Sequence, residues 1–231
     1  MFRLNKNQRY IYIPNFQLMS FYWIKTNWFI KKIFSNYIWD VSNTGNTVYL
    51  TFDDGPVPEV TGWVLEELKK YDVKATFFCI GENIKKNSAL FKKLINDGHG
   101  VGNHTFNHLN GWKTETETYV ENTKRCEDVI QSNSNSTLKS KLFRPPYGKL
   151  KRPQARAIRA LGYDIIMWDV LSADFDSTLS KEKCLDNVLS NIKPGSIIVF
   201  HDSIKAFKNL EYVLPRTLAF LKNNDFQCAV L

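Results

Sequence analysis

From residue 47 onward, short apolar runs alternate with longer amphipathic stretches. The runs are TVYLTF (47–52), VKATFFCI (73–80), GVGNH (100–104), KLFR (141–144), YDIIMW (163–168), SIIVFH (196–201) and FQCAVL (226–231). Their length and their β-branched and aromatic content predict strands. Between them, apolar residues recur at three- and four-residue spacing. Val60, Val64, Leu68 and Tyr71 form one helical stripe, and Leu185, Val188, Leu189 and Ile192 another. Pro58 suits the first turn of the first helix, and Pro215 is expected to open the last. Gly98, Gly162 and Gly195 punctuate these segments as turn signals, and the polar stretch 131–140 (QSNSNSTLKS) reads as a loop before the fourth strand.

Strands alternating with helices imply β-α-β units and a parallel sheet. The runs are apolar throughout, as expected when both faces of the sheet are covered. An open doubly wound sheet and a closed β/α barrel both satisfy this pattern. The polar residues decide in favour of the barrel. They fall at the C-terminal ends of five of the strands, and a barrel gathers such ends around one mouth, whereas an open sheet spreads them along an edge.

Composition narrows the classes. With 43% apolar and 23% charged residues the chain is ordinarily globular, which excludes disorder and fibrous repeats. The net charge of +8 is concentrated at the start, where residues 1–48 hold six basic side chains against the single acid Asp40. The remainder is only mildly basic, so a nucleic-acid surface is not expected. Cys79, Cys126, Cys184 and Cys228 form no C-x-x-C pair and fit neither a zinc-cysteine site nor a disulfide scaffold. No apolar run is long enough to span a membrane. The early apolar stretch YIYIPNFQLMSFYWI is interrupted by Pro14, Asn15, Gln17 and Ser20 and reads as no conventional signal peptide. By these rules a cytoplasmic or membrane-surface location is expected, with the compartment left open.

The candidate chemistry lies at strand ends. The first strand ends in TFDDGP, placing Asp53 beside Asp54. Adjacent carboxylates need a cation, although D-G-P is equally turn chemistry. The third ends in GNHTFNH, where His104 and His108 stand at the four-residue spacing of H-x-x-x-H metal sites. Two unrelated surface histidines would give the same pattern. With an Asp from the first strand, they make a two-His, one-carboxylate set suited to Zn²⁺, Fe²⁺, Co²⁺ or Mn²⁺. The fourth ends in FRPPYG, where Arg144 could neutralise the paired carboxylates and Pro145–Pro146 stiffen the loop. The fifth leads into MWDVLSADF, with Trp168, Asp169, Asp174 and Phe175, and the sixth ends in His201.

In this order TFDDGP, HTFNH, RPPYG, W-x-x-x-x-x-D-F and VFH resemble the five motifs of the NodB-like polysaccharide deacetylases, carbohydrate esterase family four. The resemblance runs from residue 47 to about 223. It departs at Phe175, where the family usually has Trp, at Leu171, where Asp is frequent, and at Val199, where Leu is usual. These departures bear on the acetyl pocket and leave the metal set intact. The resemblance implies an irregular, TIM-like (β/α)7 barrel with the active site at the C-terminal strand ends. It also implies one divalent metal, zinc foremost with Co, Mn, Fe or Ni as alternatives, held by Asp54, His104 and His108. By the same resemblance Asp53 is the general base, tethered by Arg144, and the Tyr147 backbone N–H faces the oxyanion. His201 is the general acid oriented by Asp174, and Thr105 braces the loop between the histidines. The activity implied is removal of N-acetyl groups from a peptidoglycan- or chitin-like glycan by attack of a metal-bound water. O-acetyl ester hydrolysis, small C–N bond hydrolysis and non-catalytic carbohydrate binding are the alternatives. His99 matches none of these roles and is read as structural.

Residues 1–46 precede the resemblance and divide the chain into an N-terminal extension and a catalytic domain, 47–231. The extension holds Phe21, Tyr22, Trp23, Trp28, Phe29, Tyr37 and Trp39, interleaved with Lys25, Lys31 and Lys32. So much aromatic surface needs cover. Packing on the barrel is favoured over a weak membrane-surface contact, because no clean helical stripe of the kind a lipid-bound helix needs is present. A monomer is expected.

Overall fold

The computed structural model describes residues 22–42, 45–134 and 141–231; part of the N-terminal extension, with Phe21, and most of the 131–140 loop lie outside them. In chain order the elements are α1 (Trp28–Ile33), β1 (Thr47–Asp53), α2 (Pro58–Lys70), β2 (Thr76–Cys79), α3 (Gly81–Lys86), α4 (Ser88–Asn96), β3 (Gly100–Asn103), α5 (Thr116–Asn133), β4 (Leu142–Phe143), α6 (Arg152–Ala160), β5 (Asp164–Ile165), β6 (Val170–Leu171), α7 (Lys181–Leu189), β7 (Ile197–His201), α8 (Ile204–Asn223) and β8 (Gln227–Cys228). Short 3-10 turns, Gly111–Lys113 and Pro146–Gly148, follow β3 and β4.

The strands run parallel in the spatial order β5-β4-β3-β2-β1-β7-β6, with β8 added beside the start of β1. The sheet is curled and carries its helices on the convex face, an irregular (β/α)7 barrel. Alternation along the strands divides the faces. Val48, Leu50 and Phe52 of β1 join Phe77, Ile198 and Phe200 in the large core beneath α2 and α8. The intervening concave face is filled at its lower end by Phe78, Leu142, Ile166 and Ile197, with Ile38, Val41, Tyr49 and Leu231 against them. Both faces are thus buried, which is why the strands read as unbroken apolar runs. Cys79, Cys126 and Cys184 are buried free thiols, and Cys228 is half-buried.

The gap between β5 and β6 is occupied by the N-terminal segment. Ile38 N–H donates to Ile165 O and Ile38 O accepts from Met167 N–H, while Leu171 N–H donates to Ile24 O and Thr26 N–H to Asp169 O. Beneath these pairings Asp169 is fully buried and accepts from Lys25 Nζ at 2.5 Å, from Lys31, and from Ser196 Oγ at 2.6 Å. Burial opposes ionisation of Asp169, but these three donors outweigh it and hold the carboxyl below its usual range. Asp169→Asn should therefore lower stability by about 2 kcal/mol, less than the ~3–5 kcal/mol of a wholly buried pair because both lysines keep some solvent access. An unchanged urea midpoint would show that the segment is held by other means.

Four expectations need correction. The sheet contains a strand that the hydrophobic pattern does not resolve, β6, only two residues long and embedded in the stretch read as a strand-end loop. The last apolar run contributes only Gln227–Cys228 as a strand, paired with β1 and off the main sheet path. Pro215 sits inside α8 instead of opening it. The helix continues because its apolar face is anchored on both sides of the proline, by Leu210, Val213 and Leu214 before it and Leu218 and Leu221 after it. Finally, residues 131–133 form the last turn of α5, not loop.

Candidate metal and catalytic site

Strand register brings the polar ends to one level. Asp53 of β1 pairs with His201 of β7 and with Phe78 of β2, Cys79 pairs with Asn103 of β3, and Asn103 with Phe143 of β4. One residue beyond these rungs stand Asp54, His104 and Arg144. Odd–even alternation directs Thr51, Asp53 and His201 of the paired strands to the concave side.

Arg144 is fully buried and spans that concavity. Its Nη1 donates to Asp53 Oδ1 at 2.7 Å and to Thr51 Oγ1 at 2.8 Å, Nη2 donates to Met167 O at 3.0 Å, and its guanidinium lies 4.1 Å from the Phe78 ring centroid. An unpaired buried guanidinium would be very costly, so this fixed fork also fixes one oxygen of Asp53.

Asp54, His104 and His108 converge, with one ligand atom from each lying within 4.8 Å of the others. Asp54 Oδ1 faces His108 Nε2 at 3.2 Å and His104 Nε2 at 3.8 Å. It is a buried oxygen without a hydrogen-bond partner, which in a native site calls for a cation. His104 Nδ1 lies 2.8 Å from Arg144 O, and a carbonyl can only accept, so Nδ1 carries the proton and Nε2 presents its lone pair. Burial pushes the His104 imidazolium down to about 4, keeping the ring neutral at ordinary pH. Burial opposes ionisation of Asp54, yet the nearby His108 ring nitrogen and, at the acid pH where imidazoles carry charge, His201, His104 and His108 hold it well below the usual carboxylate range. The donor set fits a divalent ion with positions open to water and substrate.

On the other side of the mouth His201 Nδ1 meets Asp174 Oδ1 at 2.7 Å, and the His201 backbone N–H donates to Asp174 Oδ2 at 2.9 Å. Burial alone would lower the His201 pKa, but the Asp174 charge and hydrogen bond prevail and raise it to about 9. Phe175 packs edge-on against His201 at 4.8 Å and against Tyr22 at 5.4 Å. Leu171, Ala173 and Val199 form a small apolar cluster with Tyr22, Ile24, Trp168 and Phe175. The family departures therefore sit together, repacked by a side chain from the N-terminal segment.

Backbone strain is concentrated here. Asp54 (φ 88°), Thr105 (63°), His108 (55°), Tyr147 (60°) and Ala173 (59°) all adopt positive φ, at ~1–3 kcal/mol each for non-glycine residues. Local hydrogen bonds hold the histidine loop in this shape. Asn103 Oδ1 accepts from Thr105 N–H at 2.9 Å, and Thr105 Oγ1 accepts from Leu109 N–H at 3.1 Å. The Tyr147 ring lies 4.6 Å from His108. Gly148 (φ +65°) must lack a side chain, since a Cβ there would come within 2.6 Å of Trp168.

One placement differs from the polar-end reading. Asp169 lies below the mouth, committed to the lysine cluster, and contributes nothing to the site. His99 is structural, as its sequence context suggested: it is buried at the lower end of the sheet, where its Nδ1 accepts from Ala75 N–H at 3.2 Å. Sequence reasoning also missed Asp202. Its fully buried carboxyl accepts from Gly55 N–H at 2.9 Å and Thr61 Oγ1 at 2.5 Å, buttressing the turn that carries Asp54. A Gly55 Cβ would collide with it at 1.9 Å, so the glycine of D-D-G-P is the one signal that something packs behind that turn. Burial pushes its pKa up to about 8.

Residues 40–166 match the family model described as polysaccharide deacetylase. A peptidoglycan-N-acetylglucosamine deacetylase of Bacillus cereus is 34% identical over 197 residues, covering 84% of this chain and 70% of the relative. A chitooligosaccharide deacetylase of Azorhizobium caulinodans is 32% identical over 165 residues, covering 70% and 76%. Among solved structures, the Bc1960 peptidoglycan N-acetylglucosamine deacetylase superposes with a TM-score of 0.79 at 31% identity, over 85% of this chain and 91% of that one. BA3943 of Bacillus anthracis, described as a CE4 family pseudoenzyme, gives 0.74 at 25% identity over 84% and 66%. The chain belongs to the polysaccharide deacetylase family. Among the described residues, no helix is long and apolar enough to cross a membrane.

Proposed function

We propose that the chain removes N-acetyl groups from N-acetylated sugars of a glycan, peptidoglycan-like or chitin-like, with one divalent ion, zinc foremost, held by Asp54, His104 and His108. The observation that carries this reading is the unpartnered Asp54 Oδ1 facing two imidazole nitrogens, flanked by the Arg144–Asp53 and Asp174–His201 couples. The relatives named for peptidoglycan and chitooligosaccharide substrates support the substrate class.

The ion, when bound, would supply Lewis-acid polarisation of the acetyl carbonyl and lower the pKa of water at the mouth. Asp53, one oxygen fixed by Arg144, accepts the proton of the attacking water. The Tyr147 backbone N–H faces the oxyanion as charge develops, in a loop whose strained φ fixes its direction. Collapse of the tetrahedral adduct expels an amine, which needs a proton. His201 donates it from the side chain that Asp174 orients, and its raised pKa keeps that proton available at neutral pH. The extension is proposed to stay on the barrel as its closing segment, the protein acting as a monomer.

This arrangement predicts a specific pH dependence. Activity should fall on the alkaline side as His201 deprotonates near 9. Asp174→Asn removes the charge that raises the pKa, so the alkaline limb should move down toward the ordinary imidazole value of about 6.5. The same sign holds for stability: the folded pKa is raised, so the pair's contribution is complete below about 6.5 and lost as pH rises through the folded value. An alkaline limb unmoved in Asp174→Asn would remove His201 from the acid role. Acetate release from N-acetylated and O-acetylated oligosaccharides, run side by side, tests the reading itself. Faster release from the ester substrates alone would favour the esterase alternative.

A further inference from the structure

Helix α1 presents its apolar residues outward. Lys31 turns inward to Asp169 and Ile30 packs against the barrel, while Trp28, Phe29 and Ile33 are 70%, 59% and 53% exposed. Lys32 Nζ lies over the Trp28 ring, 5.0 Å from its centroid. Large apolar side chains left open in a group mark a contact surface. Phe29 and Ile33 stand one turn apart on the same side of the helix. Ile33 leads into a pocket of about 290 Å³ between α1 and α6. One wall is Ile33, Phe34 and Tyr37, and the other is Arg152, Arg156 and Arg159. Spacings of four and three residues put the arginines on one exposed side of α6, away from the buried Gln154, Ala155 and Ile158. Among the described residues, none of the three arginines pairs with a carboxylate.

We propose that this face, built by α1 and α6 together, docks the protein on an anionic phospholipid bilayer. The inference is independent of the chemistry assigned to the mouth. Guanidinium forks match phosphate oxygens in geometry as well as in charge. Aromatic and aliphatic side chains beside them are the kind that sink into the interfacial layer of a membrane. Charge decides against the nearer occupants. Residues 1–21 hold Arg3, Lys6 and Arg9 and no acid, so this stretch cannot neutralise the arginines. A second copy paired face to face would set arginine against arginine. A soluble polyanion would satisfy the arginines but leave Phe29 and Ile33 uncovered. The lipid-facing set comes from two elements, which is why the extension read alone shows no such stripe. The Lys25–Asp169–Lys31 cluster and backbone bridges fix the segment to the barrel, so the face is already formed before docking. Phe34 and Tyr37 also border the cleft that reaches Tyr147, so a docked chain holds its mouth beside the bilayer.

The test is sedimentation of the full chain with vesicles of phosphatidylcholine, alone or with about 30% phosphatidylglycerol. Binding is expected only to the anionic vesicles, and it should weaken as salt rises from about 0.05 to 0.5 M. Arg152→Gln, Arg156→Gln and Arg159→Gln combined should cut the partition coefficient by roughly 100-fold, each charge near the surface being worth about fivefold. Trp28→Ala with Phe29→Ala should cut it by about 10-fold at unchanged charge. All five side chains are exposed, so both variants should keep the wild-type urea midpoint. The emission of the wild-type chain should shift to the blue on anionic vesicles, and Trp28→Phe should abolish most of that shift. A control removes the same charge from the groove between α7 and α8, through Lys181→Gln, Lys208→Gln and Arg216→Gln, and should bind as the wild type does. An equal loss in the control would reduce the effect to net charge and overturn the proposal. Undiminished binding in either test variant, or no binding to anionic vesicles at all, would also overturn it. In the last case, arginine-dependent binding of a single-stranded oligonucleotide would reassign the face to nucleic acid, and arginine-dependent self-association would reassign it to a second copy.

Discussion

Asp53→Asn should bind metal as the wild-type chain does and lose deacetylation by roughly 10²–10⁴-fold, the usual worth of a positioned general base. The amide oxygen can still accept from Arg144 Nη1, so the fork that spans the concave face survives. The variant loses only the ability to take a proton from water. The neighbouring Asp54→Asn should behave in the opposite order, weakening metal binding first, because its Oδ1 is the oxygen aimed at the two imidazoles. Turnover and metal content measured on the same preparations separate the two roles. Near-normal turnover in Asp53→Asn would show that another group takes the proton.

The histidines carry the second large effect. His104→Ala and His108→Ala should each lose most of the bound metal, read by elemental analysis, and with it all measurable deacetylation. The two differ in their surroundings. His104 is buried with its Nδ1 bound to Arg144 O, so its loss also frees the carbonyl that helps orient the Arg144 loop. His108 is partly exposed and touches the Tyr147 ring, so its removal should disturb the fold less. Full metal occupancy in both variants would exclude the triad.

Much of this site is legible in the sequence because its residues follow directly on strand ends, where a local motif and a strand boundary coincide. TFDDGP, GNHTFNH and FRPPYG each carry their reactive groups within a few residues of the last rung of the sheet. What escaped the sequence depends on contacts between distant segments. β6 is two residues long and exists because Ile24 on one side and β7 on the other supply its partners. Asp169 follows Trp168 in a motif, yet its carboxylate is claimed from below by Lys25, Lys31 and Ser196. Asp202 adjoins His201 but points behind the Asp54 turn, toward Thr61 on α2. Pro215 carries the composition of a helix start, and only the packing of α8 on either side overrides it. The docking of residues 22–42 has no periodic signature, because backbone pairing and one ion cluster hold it in place of an amphipathic stripe.

Mass spectrometry of N-acetylated glycan oligomers, incubated with the metal-loaded chain and with the same chain after chelation, tests the central claim most directly. The account predicts stepwise loss of acetyl groups with the loaded protein, none after chelation, and recovery when zinc is returned. Oligomer masses unchanged by a fully metal-loaded, folded protein, or acetyl loss that persists undiminished after the metal is removed, would contradict it.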